Sequence, residues 1–183
     1  DMGGPEIVIL HHPSGLTDAL ELAGVQAITE YVASTGKHAI VLAPNHDPGR
    51  VTVLSALTTA AAKHNWKFIE HLPREQFVGL LKRLASRGGL LIGNSSAGLI
   101  EAAALNCRAV NVGPRQSGRE TPANVVNVSQ PSSAFIASAI AAHQMPAKPD
   151  HPYGDGQSGP RIAGILASIN FDDPALIRKR CAY

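Results

Sequence analysis

Short apolar runs alternate along the chain with longer segments whose apolar residues recur at helical spacing. The runs are typical of strands buried on both faces, and the spaced segments are typical of helices that pack one side onto a sheet. The pattern predicts strands over residues 6–12, 38–44, 67–73, 89–93, 108–113 and 124–128. It predicts helices over residues 17–35, 51–65, 74–87, 96–106, 131–143 and near 159–169. This alternation predicts a three-layer α/β/α domain in which helices cover both faces of a parallel sheet.

Polar residues follow most of the predicted strands at the point where the strand ends. They are His11 and His12, Asn45, His71, the turn 94–96 and the loop 115–119. Ligands of open parallel sheets bind at the carboxyl ends of the strands. We therefore expect these side chains to meet at one edge of the sheet and to form the functional site there.

Length and composition fit one domain, over residues 1–183, with a substantial core. The chain is 44% hydrophobic and 16% charged, and a chain of this length buries about 70% of the surface that its unfolded form exposes. Its net charge is +2, with no dense basic run, and 4% of its residues are aromatic. This composition favours neither a nucleic-acid partner nor a membrane partner.

The cysteines and histidines indicate a compartment and exclude some sites. Cys107 and Cys181 lie far apart and outside any Cys-x-x-Cys pair, which is typical of a reducing, cytoplasmic compartment. The eight histidines are scattered without a familiar ligand spacing, so we expect no metal site. The N-terminal residues read as a linker that enters a strand and not as a signal peptide, which predicts that the chain begins within a longer protein.

The segment Gly93-Asn94-Ser95-Ser96 separates a predicted buried strand from a predicted helix. Serine and asparagine at this place satisfy the free N–H groups of a first helical turn, and the same N–H groups can bind phosphate. No complete P-loop or Gly-x-Gly-x-x-Gly motif is present. The segment GNSSAG also departs from a serine-hydrolase nucleophile elbow at either serine. These residues alone leave both a plain cap and a phosphate site open.

A longer motif set resolves this choice by resemblance. The segment GNSSAGLIEAAALNCRAVNVGPRQSGRETPANVVNV (93–128) closely resembles the signature of UDP-N-acetylglucosamine 2-epimerases, and ILHHP (9–13), LAPNHDPG (42–49) and YGDGQSGPRI (153–162) fit the same family. The His-Pro after the first strand resembles the hydrolysing branch, which releases N-acetylmannosamine and UDP in sialic acid synthesis. The resemblance implies the C-terminal, Rossmann-like half of a glycosyltransferase-B-like enzyme that needs no cofactor.

The resemblance assigns most of the nucleotide contacts to the second half of the chain. It implies that the diphosphate contacts Ser95 and Ser96, that Glu101 binds the ribose hydroxyls, and that Arg115 binds UDP while Gln116 and Arg119 support its loop. A carboxylate can accept hydrogen bonds from both ribose hydroxyls. Glu101 is expected in a largely buried helix, where a carboxylate without a partner is unfavourable by about 3 kcal/mol or more. The plainer alternatives are a helix cap, a solvated glutamate and an exposed polar loop.

The first half of the chain supplies three further candidates. By resemblance, His12 lies near the diphosphate and donates a hydrogen bond or a proton to the leaving UDP oxygen, and the ordinary histidine pKa near 6.5 suits either role. Asn45 and the backbone of Leu72 match positions that contact the nucleotide, the latter at uracil. The alternatives are a histidine that only caps the strand end and a leucine that packs in the core.

Several interpretations of the whole protein stay open at this point. The partners that the resemblance implies are UDP-N-acetylglucosamine or UDP and the N-terminal half of the same enzyme, which is expected to hold the base. Rival functions are an epimerase for a UDP-diacetamido sugar, a glycosyltransferase that uses a UDP-sugar, and a nucleotide-binding module without catalysis. The Ala-rich segment 51–63 is compatible with a homo-oligomer interface and equally with packing inside the domain.

Overall fold

The computed structural model describes residues 6–176 and contains one parallel sheet. Its strands are β1 (Ile7–Leu10), β2 (Ala39–Leu42), β3 (Lys67–Ile69), β4 (Leu90–Gly93), β5 (Arg108–Val112) and β6 (Val125–Val128). Their order is β3-β2-β1-β4-β5-β6, and every neighbouring pair is parallel. β2 and β3 lie on one side of β1, and β4, β5 and β6 lie on the other, so the strand order switches sides between β1 and β4. Open parallel sheets bind their ligands at such a switch point.

The helices cover both faces of this sheet. They are α1 (Asp18–Ser34), α2 (Arg50–Lys63), α3 (Arg74–Ser86), α4 (Glu101–Ala104), α5 (Ser133–Ala142) and α6 (Ser158–Ser168), with 3-10 turns at Ser96–Gly98 and Pro174–Leu176. Alternate strand residues enter two separate cores: Ile7 and Ile9 pack with α1, α2 and α5, whereas Val8 and Leu10 pack with α3 and α4. The predicted three-layer α/β/α fold with a parallel sheet is confirmed.

One predicted helix is wrong in its form. Residues 96–106 were expected to form a continuous helix, but they form the 3-10 turn and the short α4, separated by Leu99 and Ile100. The segment lies tightly against the sheet, since a Cβ at Gly98 would come 3.4 Å from that of Ala109. Asn106 ends the segment with a φ of 51°. Glu101 is therefore the first residue of α4, and not one turn into a longer helix.

The predicted third strand is shorter than expected. It was predicted over 67–73, yet β3 ends at Ile69 and α3 begins at Arg74. The edge strand has a neighbour on one side only, β2, so residues 70–73 are free to turn away from the sheet. Residues 70–72 form part of the wall of the cavity described below.

The described residues fall into two compact units that divide between Pro152 and Tyr153. The first carries the sheet, and in the second α6 exposes Ile162, Ile165 and Leu166 to solvent. One domain over 1–183 stays a prediction. Within residues 6–176 no helix has the length and apolar character needed to cross a membrane. Cys107 is buried and free, whereas Cys181 lies outside the described residues.

Candidate functional site

A cavity of about 290 Å³ lies at the carboxyl ends of β1 to β4. Five predicted site residues line it, namely His12, Leu72, Ser95, Ser96 and Glu101. Leu72 and Phe77 give it an apolar wall, while the serines, the histidine and the carboxylate give it a polar one. Sites for small ligands commonly combine an apolar surface with a few polar groups that fix orientation. The sheet edge therefore brings these five residues together as predicted.

The turn between β4 and the 3-10 helix presents donors to this cavity. Gly93 begins the turn because a Cβ there would collide with the carbonyl oxygen of Leu10 on β1. Ser95 caps the 3-10 turn, and its Oγ accepts a hydrogen bond from the N–H of Ala97 at 3.3 Å. The N–H groups of Ser95 and Ser96 donate to no other group of residues 6–176. The turn is thus a cap that keeps two N–H donors and two hydroxyls for a ligand.

The ring of His12 is held by the backbone N–H of Asn45, and the backbone of His12 is held by the side chain of Asn94. Its own N–H donates to Oδ1 of Asn94 at 2.7 Å, and its Nδ1 accepts the N–H of Asn45 at 3.0 Å. Burial lowers the pKa of His12 to about 4, assisted by the positive charge of Arg115 and opposed by Asp47. The expectation that the ordinary pKa near 6.5 applies is wrong, because the side chain is desolvated. Without a ligand, His12 is neutral at pH 7.

Asn94 connects the parts of the site, a role that sequence reasoning missed. It is 1% exposed, and its Nδ2 donates to the carbonyl of His12 at 2.8 Å and to Oγ of Ser14 at 3.1 Å. Its own carbonyl accepts hydrogen bonds from Gln116 at 2.8 Å and from Arg115 at 3.3 Å. The signal in the sequence was an amide directly after an apolar strand. Its partners, however, lie 21 to 82 residues away.

Arg115 lies beside the cavity and is held from two sides. Besides the Asn94 carbonyl, it contacts Asp47, with Nη2 3.4 Å from Oδ2, and Asp47 also accepts from the side-chain amide of Asn45. The predicted residues Asn45 and Arg115 therefore reach the site through His12 and Asn94, and Asp47 joins them to each other. Gln116 is buried and anchors the loop, consistent with its predicted supporting role.

Arg119 is not brought to this cavity. It is exposed and lines a different cavity of about 260 Å³, together with residues of the loop 113–121 and the end of β6. His11 also faces away and is 3% exposed. Its pKa is lowered to about 3, first by burial and then by the charges of His12 and Arg115. Neither side chain lines the cavity at the ends of β1 to β4.

Glu101 has a protein partner, so one argument for its role is wrong. Its Oε1 accepts a hydrogen bond from Nη1 of Arg74 at 3.0 Å, and its side chain is 21% exposed. The expectation of a buried carboxylate without a partner does not hold, because the start of α3 supplies an arginine. That arginine side chain is 76% exposed. The carboxylate thus lines the cavity while bound by a side chain that can leave it.

The described residues hold no group of three or more histidine, cysteine, aspartate or glutamate side chains that could bind a metal ion. The donors that line the cavity are instead the hydroxyls and free N–H groups of Ser95 and Ser96 and the imidazole of His12, while the guanidinium of Arg115 is bound to the adjacent Asn94. Such donors suit an anionic, hydroxyl-rich ligand.

Known proteins resemble this chain in sequence and in fold. A UDP-N,N'-diacetylbacillosamine 2-epimerase (hydrolyzing) of Legionella pneumophila is 30% identical over 164 residues, which are 88% of this chain and 42% of that protein. A UDP-GlcNAc 2-epimerase of Methanocaldococcus jannaschii, solved with UDP-GlcNAc and UDP, superposes with a TM-score of 0.65 at 20% identity and covers 88% of this chain. A Neisseria meningitidis UDP-GlcNAc 2-epimerase, bound to UDP-GlcNAc, gives a TM-score of 0.67 at 15% identity over 89% of this chain.

This chain spans less than half the length of these relatives, with 44% of each solved chain covered. The structural matches, at these identities, show a shared fold. The sequence profile of the family described as UDP-N-acetylglucosamine 2-epimerase matches residues 2–167. The chain therefore belongs to the UDP-N-acetylglucosamine 2-epimerase family.

Proposed function

We propose that the chain is the UDP-binding half of a hydrolysing 2-epimerase that converts UDP-N-acetylglucosamine to N-acetylmannosamine and UDP. The observation that carries the proposal is the cavity of about 290 Å³ that gathers His12, Leu72, Ser95, Ser96 and Glu101 at one edge of the sheet. Family membership supports the reaction class, and the donors at the cavity support an anionic nucleotide.

The proposed ligand lies along the cavity in two parts. At the diphosphate end, which consists of His12, Asn94, Ser95, Ser96 and Arg115, the free N–H groups and the guanidinium bind the phosphates. At the uridine end, which consists of Leu72, Arg74, Phe77 and Glu101, the carboxylate binds the ribose hydroxyls and the Leu72 backbone contacts uracil. Asn45 joins the diphosphate end to Asp47, because its N–H donates to His12 and its side-chain amide donates to Asp47.

The proposed reaction has two steps and divides its groups between two halves of the enzyme. A base in the N-terminal half removes the proton from sugar carbon 2 while the bond from carbon 1 to the phosphate oxygen breaks, which releases UDP. Water then adds to the resulting double bond and gives the inverted sugar. This chain stabilises the charge that develops on the departing diphosphate, an effect that is often the largest in catalysis. A place in sialic acid synthesis and a cytoplasmic location belong to the same proposal.

The similarity to the Legionella protein favours a second candidate, an epimerase for a UDP-diacetamido sugar. The two candidates share UDP and differ only in the sugar. If the absent half selects the sugar, this chain binds the two intact nucleotide sugars with similar affinity. A clear preference for either one in competition with UDP would place part of that selection within this chain.

Calorimetric titration with UDP tests the proposed function. We expect saturable binding to the chain, weakened about tenfold or more by Glu101→Gln, because hydrogen bonds to a charged group contribute about 1.5–3 kcal/mol. The matched control is Glu75→Gln, since Glu75 is an exposed carboxylate on α3 outside the cavity. Absence of saturable binding at millimolar UDP, or equal weakening by both variants, contradicts the proposal.

Because the proposed reaction needs groups from both halves of the enzyme, we predict that the chain alone does not catalyse it. It contributes charge stabilisation, while the base belongs to the other half. Incubation of the purified chain with UDP-N-acetylglucosamine should therefore release no appreciable N-acetylmannosamine. Steady release of the free sugar by the chain alone would show that the base lies within it.

A further inference from the structure

We infer that His12 assists departure of UDP as a fixed, neutral hydrogen-bond donor through Nε2, and that it transfers no proton. The inference rests on the proposed function, since it gives His12 a role at the leaving diphosphate. It separates two roles that a histidine at this position can have, a general acid and a stationary donor.

The backbone of Asn45 fixes the protonation of the ring. Nδ1 of His12 lies 3.0 Å from the nitrogen of Asn45, whose N–H points at it. An amide N–H always donates, so Nδ1 must accept, and the hydrogen of the neutral ring is on Nε2. Within residues 6–176, Nε2 has no hydrogen-bond partner, and the ring lines the cavity. The N–H is therefore available to a ligand.

The ring is unable to turn to a different partner. The N–H and the carbonyl of His12 are both bound by the side chain of Asn94, at 2.7 and 2.8 Å. Rotation of the imidazole would break the bond to Asn45 and leave that N–H without an acceptor in a partly buried place. An N–H group that loses its acceptor without gaining water in its place is unfavourable, so the observed orientation is preferred.

The surroundings disfavour a second proton on the same ring. A proton on Nδ1 would face the N–H of Asn45, and burial together with Arg115 lowers the pKa of His12 to about 4. The titratable and charged groups near the ring are His11, Arg115 and Asp47, with Glu70, His71 and Glu101 along the same cavity. Of the groups that set this pKa, only Asp47 raises it.

A neutral donor suffices for the chemistry. When the bond from sugar carbon 1 breaks, its electron pair stays on the phosphate oxygen, which becomes one oxygen of a terminal phosphate with a second pKa of about 6. At neutral pH this oxygen needs no proton to leave. A neutral imidazole is a very weak acid, because loss of its N–H leaves an imidazolate anion. The hydrogen stays on Nε2 and its bond to the oxygen strengthens as charge develops.

Long-range proton–nitrogen NMR of the chain labelled with ¹⁵N-histidine tests the inference. We expect His12, assigned through His12→Gln, to show a protonated Nε2 and an unprotonated Nδ1 from about pH 5.5 to 8.5, a range around the ordinary histidine pKa. Addition of UDP should shift the Nε2–H signal and slow its exchange, whereas uridine should not. Asn45→Ala, which keeps the backbone N–H, should preserve the tautomer, and Asn94→Ala should mix the two tautomers.

Two results would overturn the inference. One is a His12 ring protonated on both nitrogens at pH 7 in the presence of UDP, and the other is a hydrogen on Nδ1 in the chain without ligand. If UDP shifted no resonance of the chain, the proposed function and the donor role would fail together. The tautomer of the free chain would still be read from the same spectra, which distinguishes that failure from a wrong tautomer.

Discussion

The two ends of the cavity are held in place by different kinds of contact. At the diphosphate end, Asn94 is 1% exposed and joins His12, Gln116 and Arg115 through side-chain to backbone hydrogen bonds. At the uridine end, Glu101 is held by Arg74, whose side chain is 76% exposed. Buried networks of satisfied groups are rigid, whereas exposed ion pairs contribute only about 0–1 kcal/mol.

This difference indicates how the site prepares for its ligand. The diphosphate end is already arranged for binding, since its donors are fixed by the sheet and by Asn94. In the proposed function, the uridine end must first exchange one partner for another, because the ribose hydroxyls would compete with Arg74 for the Glu101 carboxylate. Charge stabilisation benefits most from groups that need no rearrangement, so the proposed function assigns the reacting bond to the rigid end.

Of the substitutions considered, Asn94→Ala should lower the stability most, because it removes the contacts that distinguish the diphosphate end from the uridine end. The substitution leaves the N–H and carbonyl of His12 without their partner in a partly buried place, so we expect the free energy of unfolding to fall by about 2–4 kcal/mol. Urea denaturation measures this loss, and Asn170→Ala is the control, because Asn170 is exposed. A loss below about 0.5 kcal/mol, as for an ordinary surface substitution, would show that Asn94 does not hold this end together.

The pH dependence of stability should reveal the two desolvated histidines that follow β1. The pKa of His11 is lowered to about 3 and that of His12 to about 4, so between those values and 6.5 the unfolded state binds more protons. Stability is then complete above about pH 6.5 and falls as the pH decreases, by up to about 1.4 kcal/mol per pH unit for each group.

Urea denaturation at pH 7, 6 and 5 checks this slope. His11→Asn removes one of the two groups and should flatten the slope by roughly half, although it also lowers stability at every pH. A slope that is the same in both proteins would contradict the assignment of the pH dependence to this buried pair.

Arg74→Ala should have the smallest effect on stability, in contrast to the substitution at the diphosphate end. The ion pair is exposed on the arginine side, so we expect the free energy of unfolding to change by less than about 0.5 kcal/mol. UDP affinity should stay the same or rise slightly, because Glu101 becomes free for the ribose hydroxyls. Calorimetry measures the affinity, and a marked loss of UDP binding would mean that Arg74 itself contacts the nucleotide.

The sequence predicted the layers of this fold because strands that are apolar at every position, such as 7–10 and 90–93, must be covered on both faces of the sheet. The sequence placed His12, Ser95 and Ser96 at the cavity because parallel strands end at one edge, and it assigned Leu72 and Glu101 only by the family resemblance. It did not predict the contacts that link them. Glu101 pairs with a residue 27 positions away, and Arg115 pairs with Asp47 across 68 positions. Such pairs depend on the order of the strands and the path of the loops. The spacing of apolar residues along the chain predicts neither of these.

The break between Ser96–Gly98 and α4 was also beyond local patterns. The run of alanines at 102–104 favours a helix, yet α4 covers only Glu101–Ala104 and a 3-10 turn precedes it. Helix propensity is a weak constraint in short segments, so the alanine run alone does not determine the form of the segment.

A crystal structure of the chain with UDP tests the central claim most directly. We predict the diphosphate at the N–H groups of Ser95 and Ser96 with Arg115 beside it, and the backbone around His12 and Asn94 unmoved. We predict Arg74 turned away from Glu101, whose carboxylate then accepts from the ribose. UDP bound at another edge of the sheet, or a rebuilt segment around Asn94 with Arg74 still in place, would contradict the account.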